Sequence, residues 1–91
     1  MSHLGDEKDV LLKRIRRISG QVQAIERALE SDAPCGKTLH LVAAARGALS
    51  GLLEKIIEEH AKFHVADPDL SNEERQQGVR ELLTAIRQYS K

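Results

Sequence analysis

One cysteine and a pair of histidines are the side chains of this sequence best suited to binding a metal ion. The cysteine is Cys35, and the histidines, His60 and His64, are four residues apart. On a helix, side chains with this spacing project from one face, so two imidazoles can reach the same ion. A thiolate adds a soft third ligand. Taken singly, however, a lone cysteine is commonly a small apolar core residue, and such a His pair is commonly solvated.

A single helix cannot bring these three side chains together. Between Pro34 and Pro68 nothing breaks a helix except isolated glycines, and the sequence therefore predicts one long helix over about 35–66. Cys35 and His60 are then about 38 Å apart along it, although the three donors fall within about 40° of one another around its axis. A shared site therefore requires two chains whose helices run antiparallel.

The same face of the predicted helix has an apolar stripe. Its members, which are three, four or seven residues apart, are Leu39, Val42, Leu49, Leu53 and Ile57. Such a stripe indicates packing against a partner helix. Pairing about a two-fold axis near residues 48–50 would place Cys35 of one chain beside His60 and His64 of the other.

Three helices account for nearly all of the 91 residues. We expect an arm over 1–5, then helices over about 6–30, 35–66 and 71–89, in one domain of the all-α class. The first has a heptad pattern, formed by Leu11, Ile15, Ile18, Val22, Ile25 and Leu29. The third begins with Ser71 and Glu74 at capping-box spacing. Gly47 and Gly51, one turn apart in the second, indicate close approach by the first helix.

Length and composition favour an oligomer and exclude several classes of protein. A chain this short buries little surface alone, so we expect an antiparallel four-helix-bundle dimer of three-helix protomers, paired into a dimer of dimers. A single cysteine excludes an internal disulfide and suits a reducing cytosol. No stretch approaches 18 apolar residues, and the N-terminus lacks an apolar signal region. We expect a cytoplasmic protein with no membrane partner.

Basic side chains are concentrated early in the first predicted helix. Residues 8–17 hold five basic side chains and one acidic one, although the whole chain balances 14 against 14. Such a run is usually a solvated face, but an oligomer repeats it, and repeated basic patches bind phosphate backbones. The candidate DNA contacts are Lys13, Arg14, Arg16 and Arg17. Arg46, which lies on the apolar stripe, is either snorkelled or a further contact.

Several blocks of the sequence resemble the CsoR/RcnR family of bacterial repressors. They are RIRRISGQV at 14–22, Cys35, VAAARGALSGL at 42–52, and Glu59 with His60. The resemblance extends over essentially the whole chain. It implies three-helix protomers in antiparallel dimers that pair into tetramers. It also implies that the protein binds operator DNA without effector and releases it when an effector binds at the subunit interface.

Branches of this family differ at the effector positions. His3, Cys35, His60 and His64 are similar to the pattern of the nickel- and cobalt-sensing branch. Because Ser2 is small, we expect Met1 to be removed, and the resemblance then adds the free Ser2 amine as a ligand. Nitrogen-rich ligands with one thiolate suit Ni(II) or Co(II), and Zn(II) would accept a tetrahedral subset. The copper(I) sensors of the family have Cys, His and Cys on the second helix, whereas the last position here is a histidine.

The sequence therefore predicts a metal-responsive transcriptional repressor that binds operator DNA in the apo form and is released by Ni(II) or Co(II), or by Zn(II). The alternative is a formaldehyde-responsive repressor of the same family, in which the aldehyde bridges the Ser2 amine and Cys35. Ser2 and His64 count against it, because such sensors begin with Pro after Met and usually lack the last His. We expect no enzyme, since nothing supplies an oxyanion hole or an orienting third residue. A ligand-free structural oligomer is the remaining alternative, and no other protein partner is inferred.

Overall fold

The structure is a computed structural model that describes residues 7–89. Over this range the chain forms three α-helices and no strand: α1 (Lys8–Glu30), α2 (Cys35–His64) and α3 (Asn72–Tyr89). The predicted all-α, three-helix protomer is confirmed. The arm predicted over 1–5, with its candidate ligands, lies outside the described residues.

α1 ends in a tight turn that leads directly into α2. Asp32 adopts a positive φ of 53°. Its amide donates to the carbonyl of Leu29 at 3.3 Å, and the amide of Ala33 donates to the carbonyl of Ala28 at 2.9 Å. The two bonds form a Schellman motif, which satisfies carbonyls that a helix end leaves without partners. Only residues 31–34 therefore separate the two helices.

The described residues fall into two compact units, 7–53 and 54–89. In the first unit, the heptad pattern of α1 divides between interior and surface. Leu11 and Ile18 are buried, whereas Ile15, Val22 and Leu29 are exposed. Alternate members of the pattern are therefore exposed and can pack against a surface outside this unit.

Gly47 and Gly51, both inside α2, have different surroundings. The guanidinium of Arg14 donates from Nη1 to the carbonyl of Gly51 at 3.0 Å, and a Cβ added at Gly51 would meet the same nitrogen at 3.6 Å. A Cβ at Gly47 would meet nothing within 4 Å. The prediction that α1 approaches both glycines closely is therefore wrong for Gly47. At Gly51 the group that comes close is a side chain rather than the α1 backbone.

In the second unit, α3 begins with the predicted capping box. The amide of Glu74 donates to Ser71 Oγ at 3.1 Å, and the amide of Ser71 donates to Glu74 Oε1 at 2.8 Å. Each bond satisfies an amide that the first helical turn leaves without a partner. The capping-box prediction is confirmed.

Arg75 ties the start of α3 to the segment that follows α2. Its Nε donates to the carbonyl of Val65 at 2.9 Å, and its Nη2 donates to the carbonyl of Asp67 at 2.8 Å. A guanidinium at the C-terminal end of a helix also complements the partial negative charge there. α3 is thus held against the end of α2 that contains His60 and His64.

Two stripes of large apolar side chains lie on the surface. On α2 they include the predicted stripe members Leu39, Val42, Leu49 and Leu53, and on α3 they are Val79, Leu83, Ile86 and Tyr89. No helix in the described range is long and apolar enough to cross a bilayer.

Candidate functional site

Cys35 is the first residue of α2, and its thiol is free and exposed. The helix begins there because the carbonyl of Pro34 accepts the amide of Lys37 at 2.9 Å and that of Thr38 at 3.3 Å. The hypothesis of a buried, apolar cysteine is therefore wrong. An exposed thiol in the first turn of a helix can be reached by a ligand or by another chain.

His60 and His64 lie side by side in the last turns of α2. Their rings are stacked, with centroids 4.9 Å apart and planes inclined by 23°. Both side chains are partly exposed. Two imidazoles this close together are candidate ligands for one ion.

His60 also contacts α3. Its Nε2 lies 2.9 Å from the carbonyl oxygen of Gly78, in a partly buried position. Nδ1 is the ring nitrogen that this contact does not use. This contact places one imidazole of the pair against a backbone group of fixed position.

Gly78 is the residue of this region that the sequence analysis missed. It is buried in α3, and a Cβ there would overlap the carbonyl oxygen of His64 and lie 2.7 Å from its carbonyl carbon. The sequence feature that could have indicated it is a lone glycine inside a predicted helix, a position at which alanine stabilises the helix by about 1 kcal/mol more. Such a glycine indicates close packing, here of α3 on the end of α2.

A buried carboxylate precedes the first histidine. Glu59 is only 3% exposed, and its Oε1 lies 3.9 Å from Lys55 Nζ and 3.7 Å from Lys62 Nζ. Two cations at these distances balance a charge that would otherwise be costly to bury. The end of α2 therefore contains two imidazoles and a buried carboxylate that is paired with two lysines.

The structure brings together only part of the predicted ligand set. His60 and His64 are adjacent, whereas Ser2 and His3 lie outside the described residues. Within 7–89, no group of three or more His, Cys, Asp and Glu side chains is placed to hold a metal ion. The described part of one chain thus supplies a pair of imidazoles and a separate thiol.

The candidate DNA contacts are all exposed. They are Lys13, Arg14, Arg16 and Arg17 on α1, and Arg46 on α2. Arg14 differs from the others in that its guanidinium is bonded to the carbonyl of Gly51.

Comparison with known proteins identifies relatives along nearly the whole chain. The family model described as metal-sensitive transcriptional repressor matches residues 7–88. A protein of Serratia marcescens, described as an uncharacterized protein in the bioA 5′ region, is 43% identical over 91 residues, which is the full length of both chains. The copper-sensing transcriptional repressor CsoR of Bacillus subtilis (strain 168) is 32% identical over 85 residues, or 93% of this chain and 83% of CsoR.

A solved structure has the same fold. It is a glutamate-to-histidine variant of the formaldehyde-responsive regulator FrmR from Salmonella enterica serovar Typhimurium. The two superpose with a TM-score of 0.89 at 40% sequence identity, covering 97% of this chain and 99% of that one. The names of CsoR and FrmR specify two different effectors, copper and formaldehyde.

Proposed function

This chain belongs to the CsoR/RcnR family of metal-sensitive transcriptional repressors, and we propose that it binds operator DNA without metal and releases it on binding Ni(II) or Co(II). Members of this family are transcriptional repressors, not enzymes. The observation that supports this choice of metal is the stacked imidazole pair of His60 and His64. With Cys35 as the only thiol of the chain, the donors are rich in nitrogen, which suits these divalent ions better than copper(I).

The ligands come from two protomers. One supplies the Cys35 thiolate, and the other supplies His60 and His64 together with His3 and the Ser2 amine. The described donors fit such an ion chemically, because an exposed thiol and two partly exposed imidazoles match borderline-soft divalent metals. Zn(II) would take a tetrahedral subset of the same donors. The metal supplies a charge centre that draws ligands of both chains to one point.

Pairing of α2 with a second chain is supported by its exposed apolar stripe. Leu39, Val42 and Leu49 are between 47% and 66% exposed. Removing apolar surface from water is favourable by about 25 cal/mol per Å², so a stripe of this kind favours a partner helix. The exposed stripe of α3, defined above, supports the pairing of dimers into a tetramer.

The DNA-binding face consists of the basic residues of α1 with Arg46 of α2. Their cationic groups contact phosphates, which position a protein on DNA without reading its sequence. With the metal bound, Ser2 and His3 of the N-terminal arm would lie in the site, and the start of α1 would follow them. Metal binding would therefore favour an arrangement of the oligomer that no longer fits DNA. The loss of DNA affinity can be no larger than the difference in metal affinity between the two arrangements. The protein acts in the cytoplasm, on bacterial operator DNA.

Formaldehyde is the second candidate effector, and the similarity to FrmR favours it. The exposed thiol of Cys35 is accessible to such a reagent. Condensation of the Ser2 amine, formaldehyde and this thiol would form a methylene bridge between nitrogen and sulfur and release one water. Because the amine and the thiol come from two protomers, the bridge would join two chains, and intact-mass spectrometry would detect a covalent dimer heavier than two chains by one carbon atom.

The test is a competition among effectors. Apo protein is bound to a fluorescent operator that it has itself selected from random DNA, and Ni(II), Co(II), Zn(II), Cu(I) and formaldehyde are compared for release. We expect release at the lowest concentration with Ni(II) or Co(II), and a thiolate-to-cobalt absorption band that disappears in Cys35→Ala. Release by formaldehyde alone, with the mass gain described above, would reject the metal role.

The DNA face has its own test. Lys13→Ala with Arg17→Ala removes two cationic groups from each α1, so the slope of log K against log salt should fall in magnitude by about 1.8 for each protomer that contacts the DNA. Fluorescence anisotropy at several salt concentrations measures this slope. Normal affinity with an unchanged slope would show that these residues do not contact DNA.

A further inference from the structure

The contact between α3 and the first histidine of the pair has a consequence for metal binding. We propose that the backbone carbonyl of Gly78 is a positioning group that keeps the proton of His60 on Nε2 and leaves Nδ1 to bind the effector metal. This inference rests on the proposed function, in which His60 is a metal ligand.

The proton assignment follows from hydrogen-bond chemistry. A carbonyl oxygen has no hydrogen and can only accept, so at 2.9 Å from Gly78 the His60 Nε2 must donate. A neutral imidazole has one N–H, and its other nitrogen then has the lone pair. A metal ion binds that lone pair, which lies at Nδ1. The carbonyl oxygen can accept this bond beside a helical one because it has two lone pairs.

The glycine is what allows the carbonyl to come this close. A side chain at this position would overlap the backbone of His64, since a Cβ would lie 2.7 Å from its carbonyl carbon and 3.0 Å from its Cβ. α3 would then have to move away from the end of α2, and the carbonyl with it. The bonds of Arg75 and the capping box of Ser71 and Glu74 hold the start of α3 in register for this contact.

We expect this contact to give His60 the tautomer and the ring orientation needed for metal binding before the metal binds. His60 needs no change of tautomer, and its ring is held by a bond to a rigid helix. Groups that orient a metal-binding histidine in this way typically change metal affinity by about 10- to 100-fold when they are removed. Gly78 therefore acts on metal binding through His60, without contacting the ion.

The experiment measures the tautomer directly. Long-range ¹H–¹⁵N NMR spectra of the metal-free, full-length protein show which nitrogen of each imidazole is protonated, and the spectrum of His60→Gln assigns the His60 signals. Gly78→Ala tests the contact. Gly20→Ala is the matched control, because it also places alanine inside a helix but its Cβ would have nothing within 4 Å. Co(II) affinity is measured on the same proteins from the absorption band that requires Cys35.

We expect the proton on Nε2 in the native protein and in Gly20→Ala, with equal Co(II) affinities. In Gly78→Ala we expect loss of this single tautomer and about 10- to 100-fold weaker Co(II) binding. A native His60 protonated on Nδ1, with normal Co(II) binding, overturns this inference and leaves the proposed function standing. If native protein shows no Co(II) binding that depends on Cys35, the proposed function fails and this inference fails with it. The native spectrum decides the tautomer even if Gly78→Ala does not fold.

Discussion

The two ends of α2 differ in how their proposed metal ligands are held. At the C-terminal end, the imidazoles of His60 and His64 are stacked, and the first is bonded to the carbonyl of Gly78. At the N-terminal end, the thiol of Cys35 is exposed in the first helical turn. The structure thus pairs the two imidazoles within one chain, whereas the proposed site takes its thiolate from a second chain.

Removal of the thiol should have the largest effect on metal binding. Cys35→Ala deletes a residue that binds the metal directly. Changes to groups that only orient such ligands lower metal affinity by about 10- to 100-fold, and we expect a larger loss of Co(II) affinity here. The folded state should be unaffected, because the side chain is exposed. Absorption spectroscopy measures the first effect and thermal unfolding the second. An unchanged cobalt band would remove Cys35 from the site.

Disruption of pairing should separate the two halves of the site. Leu49→Glu places a charge on the exposed stripe of α2, and burying an unpaired charge between helices costs several kcal/mol. We expect monomers that have lost the thiolate-to-cobalt band but keep the Nε2–H tautomer of His60. Analytical ultracentrifugation and the NMR spectra described above measure both properties. A cobalt band that persists in a proven monomer would contradict a site shared between chains.

Loss of His60 should reduce both metal binding and stability. His60→Gln removes a ligand and alters the bond to Gly78, which is worth about 0.5–1.5 kcal/mol if it is lost. His64→Gln should weaken Co(II) binding as well. We expect urea unfolding to show that His60→Gln is less stable than the native protein by about this amount. A free energy of unfolding equal to that of the native protein would show that the contact with Gly78 contributes nothing.

The smallest effect should come from the start of α3. Ser71→Ala removes the side-chain acceptor of the capping box, which typically lowers the free energy of unfolding by about 1 kcal/mol. Because α3 supplies the Gly78 carbonyl, loosening its first turn should also weaken Co(II) binding slightly. Urea unfolding and cobalt titration test the pair of effects. Weakened metal binding without loss of stability would contradict this explanation.

The features that the sequence revealed are those set by residues close together in the chain. The capping box of Ser71 and Glu74 and the shared face of His60 and His64 depend on spacings of three and four residues, and both are present. Gly78 could not be placed in the same way. Its importance depends on the backbone of His64, which belongs to another helix.

The arginines of the chain show the same limit. Composition identified Arg14 as one member of a basic run, but not its bond to the carbonyl of Gly51. The anchoring of α3 by Arg75 was not foreseen either, because two of its nitrogens bind backbone carbonyls rather than side chains. A carbonyl is present at every residue, so its use as a partner leaves no pattern in the sequence.

The most direct test of a site shared between two chains is a complementation measurement. Cys35→Ala protomers, which keep the histidines, are mixed with protomers in which both His60 and His64 are replaced by Gln. Mild denaturant then allows the two variants to exchange subunits. Each variant has a different affinity tag, and mixed dimers are isolated by purification on both tags. In an antiparallel dimer, one site then contains the native thiol from one chain and both native imidazoles from the other. We predict that neither variant alone shows the thiolate-to-cobalt band and that mixed dimers regain it at one site per dimer. Mixed dimers without the band would contradict the central claim.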